Sequence, residues 1–130
     1  MARPILIDTS AWIEAMRRTG DPATRNEVQA VLRSGRARLC DFVRLELWNG
    51  VGGDAERKWL SDVEESVETV PTNAEVWSEA KRLAQETRRQ ALTLPASDLL
   101  IAACSRVHGL GILHRDGHFD RLATIVPPEE

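Results

Sequence analysis

The sequence predicts an α/β fold in three layers, a central parallel sheet of four to five short strands flanked by helices. Two observations predict it. Short apolar runs alternate with longer stretches of helical period along the chain. The first apolar run, residues 4–7 (PILI), also passes at once into a helix-like segment. Strands alternating with helices imply parallel pairing, and function in such sheets gathers beyond the carboxyl ends of the strands.

The elements follow in order. After the strand at 4–7, Thr9 or Ser10 is positioned to cap a first helix carrying Trp12, Ile13 and Met16. Asp21 as N-cap, Pro22 at the first helical position and Gly35 beyond the end bracket a second helix, with Val28, Val31 and Leu32 as its buried stripe. A strand at 37–40 precedes a helix capped by Asp41 and ended by Gly50, Gly52 and Gly53. The run 54–66 is helical, with Trp59, Leu60 and Val63 on one side. A strand at 67–70 stops at Pro71. The next helix repeats Trp77, Ala80, Leu83, Ala84 and Thr87. Asp98 opens an apolar helix with Leu100, Ala103, Cys104 and Val107 at i, i+3, i+4, i+7, and Gly109 stops it. Then come a strand at 111–114, a short helix at 116–123 and a last strand at 124–126 (TIV).

At 130 residues the length fits one domain spanning 1–130, and 42% hydrophobic residues suffice for a core. Twenty acids face seventeen Lys+Arg, a net charge of -3, which argues against a uniformly basic nucleic-acid binder. Fifteen of the basic residues are arginine and only Lys58 and Lys81 are lysine. Arginine forks onto phosphate as lysine cannot, although codon bias also produces such a skew. Cys40 and Cys104 lack CxxC spacing and read as buried free thiols of a reducing compartment. The start has no signal-peptide core, and no apolar run approaches the ~20 residues a membrane helix needs. The expected location is therefore cytoplasmic, with no membrane association.

Four acids sit where solubility does not explain them. Asp8 ends the first strand. Glu46 lies on a helix with Phe42 and Val43 one turn back on its own face. Asp98 opens an apolar helix, and Asp116 follows the strand at 111–114 directly. Each has a structural reading: Asp8 as a helix cap, Asp98 as a charge favoured by the helix dipole at ~0.3–1 kcal/mol, Asp116 as a turn residue. Glu46 among apolar neighbours costs several kcal/mol without a partner. Taken together, strand ends and helix starts of a doubly wound sheet converge at one edge, so the four are candidates for one pocket. Two carboxylates ~4 Å apart repel by roughly 4 kcal/mol at an effective dielectric near 20. Oxygen-only ligands select a hard ion, Mg²⁺ or Mn²⁺. With the four set aside, sixteen acids face seventeen basic residues, a balance that does not repel phosphate.

The segments ILIDTSAWIEAMRR, FVRLELWNGV and LPASDLLIAACSRVHGLGILHRDGHFDRLA together resemble the PIN-domain ribonucleases, in particular the VapC-like toxins of bacterial type II toxin–antitoxin pairs. The likeness runs nearly end to end, while residues 54–90 are only generically helical. It implies that Asp8, Glu46, Asp98 and Asp116 form the acidic quartet that holds the metal and is catalytic, with Ser10 at a supporting hydroxyl position. Two residues depart from the family pattern. His114 stands where Thr or Ser is common, leaving open whether it orients Asp116, touches substrate or alters metal preference. His118 stands where Asp is frequent, and reads as a surface helix residue.

The implied function is Mg²⁺- or Mn²⁺-dependent endoribonuclease hydrolysis of RNA, in line, leaving a 5′-phosphate and a 3′-hydroxyl. The implied partners are RNA, a VapB-like antitoxin whose tail fills the acidic cleft, and a second copy of the chain in a homodimer. Arg115 is the candidate phosphate contact, with a salt bridge to a nearby acid as its structural reading. Trp12 and Trp48 read as core or dimer contacts rather than base-stacking platforms. Other readings are an RNA-processing PIN nuclease without a toxin role, an inactive PIN scaffold, and a non-catalytic Mg²⁺-binding module of receiver type. The last expects adjacent acids at the first strand and a late lysine, and neither is present.

Overall fold

The computed structural model describes residues 2–128. Four strands, β1 (Ile5–Ile7), β2 (Ala37–Cys40), β3 (Glu68–Val70) and β4 (Gly111–Leu113), form one parallel sheet in the order β3-β2-β1-β4. The helices among the described residues are α1 (Thr9–Met16), α2 (Pro22–Arg33), α3 (Asp41–Gly50), α4 (Asp54–Ser66), α5 (Ala74–Arg89), α6 (Ala96–Val107) and α7 (Gly117–Ile125). No helix among these residues is long and apolar enough to cross a membrane.

β1 is the inner strand that organises the site. Ile5 pairs with Ala37 on one side and Gly111 on the other, and Ile7 pairs with Leu113. Leu6 and Ile7 are fully buried, which accounts for an unbroken apolar run rather than an alternating one. The chain adds β2 and β3 on one side of β1 and then returns to add β4 on the other. The strand order therefore reverses between β1 and β4, and a crevice opens there at their carboxyl ends.

Side-chain caps start four helices: Asp8 for α1, Asp21 for α2, Asn73 for α5 and Asp116 for α7. Asp8, not Thr9 or Ser10, caps α1. Asp41 does not cap α3 either: Cys40 holds that position without a side-chain bond, and Asp41, first in the helix, faces Arg44 at 3.5 Å. Asp98 is the third residue of α6 rather than its opening, because the helix begins at Ala96 directly after Pro95.

Two packing expectations are corrected. The run 124–126 is not a fifth strand: Thr124 and Ile125 complete α7 and Val126 caps it. Phe119, Leu122 and Val126 bury one helical face, so a 3.6-residue period overrides the β-branched composition of the run. On α5 the buried stripe is Val76, Leu83 and Thr87, and Trp77 points outward at 57% exposure. Trp12 is a core residue, edge-on to Trp59 at 5.8 Å. Cys40 and Cys104 are buried free thiols, as expected. α6 is buried at every residue from Asp98 to Ser105, the pattern of a helix enclosed on all sides.

α1 and α2 pack as a pair through a tight turn. Gly20 closes that turn, and a Cβ there stands 1.9 Å from the Glu14 carbonyl oxygen. Gly20→Ala is expected to lower the unfolding free energy by about 1–3 kcal/mol, because backbone must shift. Gly52→Ala brings its added carbon only against the flexible Glu56 carboxylate at 3.6 Å and is expected to stay within about 0.5 kcal/mol. Urea titration of the two variants beside the parent chain measures the contrast.

Candidate active site

The site is built where β1 and β4 end. The Asp8 N–H donates to the Leu113 carbonyl at 2.9 Å, so the last ladder bond of the sheet fixes the Asp8 backbone. Asp8 is 4% exposed. Its Oδ2 accepts from the Ser10 N–H at 3.1 Å and from the Ser10 hydroxyl at 2.6 Å. The same Ser10 oxygen accepts from the Arg115 N–H at 2.9 Å. Ser10 thus ties the end of β1 to the segment after β4, and the two acids expected to converge, Asp8 and Asp116, lie on one side of the molecule.

Asp116 caps α7, with Oδ1 accepting from the His118 N–H at 3.0 Å. The Asp116 N–H donates to His114 Nδ1 at 3.2 Å. With Nδ1 an acceptor, the His114 proton sits on Nε2, which faces Asp120 at 3.4 Å. Of the roles left open for His114, orienting the Asp116 backbone is the one the geometry displays.

Asp98 projects from the first turn of the enclosed helix α6. It does not cap the helix; its Oδ2 lies 2.7 Å from His118 Nδ1. That same nitrogen is 3.1 Å from Asp116 Oδ1. His118 is therefore not a surface residue turned to solvent. As second residue of α7 it folds back over the Asp116 cap and faces both carboxylates. Glu46, on α3, accepts at Oε1 from the hydroxyl of Thr9, the residue after Asp8, at 2.6 Å.

One donor atom each from Asp98, Asp116 and His118 lie within 4.8 Å of one another. Asp8 adds its charge to theirs. The Asp98 carboxyl is held above the ordinary aspartate range: burial is the main cause, the His118 hydrogen bond opposes it, and the negative charges of Asp116 and Asp8 reinforce it. Asp98, Asp116 and His118 around one point, with Asp8 near enough to add its charge, are a donor set that fits a divalent cation. A groove of about 620 Å³ runs along β4 and α6, but it meets the site only at His114 and Asp120 and holds none of the four acids.

Arg115 turns the other way. Its guanidinium donates to Thr24 Oγ1 at 2.7 Å and pairs with Glu27 on α2. Sequence reasoning missed Thr9 and undervalued His118. The signal for His118 was present: a residue two beyond an N-cap aspartate lies against that carboxylate.

Two expectations follow from this geometry. A group whose value is raised in the fold stabilises fully below its unfolded value, here 3.8, and that contribution is lost as pH rises through the folded value. In a chelator, Asp98→Asn should therefore be no less stable than the parent at neutral pH, with the difference opening upward from about pH 4; denaturant melts at stepped pH measure it. Thr9→Val removes the hydroxyl that donates to the Glu46 carboxylate. It is expected to weaken divalent-ion binding about tenfold in calorimetric titration, since a group that orients a metal-binding carboxylate carries that order of effect.

The PIN domain family matches residues 5–125. Ribonuclease VapC11 of Mycobacterium tuberculosis is 34% identical over 125 residues, spanning 93% of this chain and 92% of that protein. Ribonuclease VapC18 of the same species is 29% identical over 123 residues, spanning 92% and 87%. Among solved structures, a chain of the toxin–antitoxin complex from Klebsiella pneumoniae superposes with a TM-score of 0.74 at 17% identity, over 97% of this chain and 98% of that one. The chain therefore belongs to the PIN domain family, and its 34% kinship over nearly the whole length places it in that family's VapC group.

Proposed function

We propose that the chain is a divalent-metal-dependent endoribonuclease that hydrolyses RNA phosphodiester bonds and acts as the toxin of a toxin–antitoxin pair. One observation carries the reading: Asp8, Asp98 and Asp116 gather at the ends of β1 and β4 in a chain whose near full-length relative is named a ribonuclease. Asp8, Glu46, Asp98 and Asp116 would hold the ion, with oxygen donors that suit Mg²⁺ or Mn²⁺. When bound, such an ion supplies stabilisation of charge on phosphate oxygens and a more acidic water.

The chain's own residues supply the positioning. Ser10 fixes one oxygen of Asp8 and leaves the other for the site. Thr9 fixes one oxygen of Glu46. His114 sets the backbone of Asp116. None of these partners carries a full opposing charge beside Asp8 or Glu46, so the field of the acids remains available to a cation. Arg115 is the proposed contact to the RNA backbone; a phosphate oxygen would compete with Glu27 for its guanidinium.

The proposed protein partner is an antitoxin whose tail fills the acidic cleft. Support comes from the like-folded Klebsiella pneumoniae chain, whose structure is a toxin–antitoxin complex. A homodimer belongs to the same proposal.

Cleavage of total RNA tests the reading. With Mg²⁺ or Mn²⁺ the parent chain should cut, and excess EDTA should stop it. Asp8→Asn and Asp98→Asn should each lose at least about 100-fold in kcat/KM, the scale set by removing one electrostatic stabiliser from a site. Equal rates in all three proteins, or cutting that survives EDTA, would overturn the assignment.

A further inference from the structure

We propose that His118 is itself a metal ligand through Nδ1, and that the site therefore takes a first-row transition-metal ion in preference to Mg²⁺. The inference rests on the metal-dependent reading above and sharpens it. The expectation of a hard ion came from counting oxygens only. The folded chain adds a nitrogen to that count.

The geometry is specific. Nδ1 stands 2.7 Å from Asp98 Oδ2 and 3.1 Å from Asp116 Oδ1. Adjacent ligands of an octahedral ion with bonds of about 2.1 Å stand about 3.0 Å apart, and opposite ones about 4.2 Å. The two measured separations bracket the first figure, and all three donor atoms lie within 4.8 Å of one another. Little closure is needed for all three atoms to share an ion.

In the metal-free chain a single N–H can be directed at only one of the two carboxylates at a time. A divalent ion accepts from all three donors together, which one proton does not. The His118 side chain is 38% exposed, which leaves room for water to accept from its other ring N–H, as ligand histidines require. α7 holds the ring in place, because Asp116 both caps that helix and belongs to the cluster.

The consequence is selectivity. Mg²⁺ demands oxygen ligands and sheds water reluctantly. Imidazole nitrogen favours the later first-row ions, along the order Mn²⁺ < Fe²⁺ < Co²⁺ < Ni²⁺. Replacing this nitrogen by oxygen should move the site back toward Mg²⁺.

Two measurements test this without recourse to cleavage. Calorimetric titration with Co²⁺ and with Mg²⁺ compares the parent chain with His118→Asp and His118→Asn, each checked for folding by circular dichroism. The ratio of Co²⁺ to Mg²⁺ affinity is expected to fall about ten- to a hundredfold in both variants, with Mg²⁺ affinity kept or raised in His118→Asp. Pulsed electron paramagnetic resonance of the Mn²⁺-loaded parent chain should show a nitrogen coupling that persists in His114→Gln. This second readout needs no change at His118, so it decides the matter even where a His118 variant misfolds. An unchanged affinity ratio, or a Mn²⁺ signal without nitrogen coupling, overturns the role of His118 and leaves the nuclease reading standing. Failure of the parent chain to bind any of the three ions overturns both.

Discussion

The mutual repulsion of carboxylates drawn to one point is the constraint on which the site depends. At a spacing of ~4 Å and an effective dielectric near 20, each pair opposes assembly by roughly 4 kcal/mol. Local preferences of the backbone do not offset a term of that size; a rigid frame has to hold the groups. The frame is the pairing of β1 with β4, closed by the Asp8–Leu113 ladder bond, and the helix α6 enclosed from Asp98 to Ser105. Ser10 adds a cross-tie by donating to Asp8 while accepting from the Arg115 backbone. Burial is the first cause of the raised Asp98 value, and the charges of Asp116 and Asp8 add to it.

Much of this frame was legible in the sequence because the signals were local. A buried central strand requires an unbroken apolar run, and residues 5–7 provide one directly before a helix. Asp21 and Pro22 announce α2 by capping chemistry alone. Asp8, Asp98 and Asp116 stood out because each is an acid at the junction of an apolar element. What escaped was set by tertiary contact. Thr124, Ile125 and Val126 have strand-like composition, yet Leu122 and Phe119, one and two turns before Val126, bury the same face and carry the helix through Ile125. Trp77 fits a helical stripe by spacing as well as Val76 does, and only the packed neighbour decides which of two adjacent residues turns inward.

The same distinction separates the acids from their partners. That four carboxylates lie out of place is a property of each residue and its neighbours in the chain. Which group each one bonds is a property of the fold. Thr9 and Glu46 are far apart in sequence, as are Asp98 and His118, and no periodicity links them. His118 was the nearest to legible, since Asp116 two residues earlier caps the helix that carries it.

The partners chosen explain why the site keeps its charge. Arginine is the dominant basic residue of the chain, and a guanidinium beside Asp8 or Glu46 would hold either carboxylate firmly. Arg115 and Arg44 are engaged elsewhere, Arg115 with Glu27, and Arg44 with Glu64 and Asp41. Asp8 and Glu46 are held by hydroxyls instead, which orient an oxygen without cancelling its charge. An arginine in either place would leave a neutral, stable junction with no remaining affinity for a cation. Hydroxyl partners leave the junction electrostatically unfinished, and the imidazole of His118, which exchanges a proton where arginine does not, is the single basic side chain bonded directly to the acids among the described residues. The arrangement favours a site completed by something that arrives from solution over one completed by the fold.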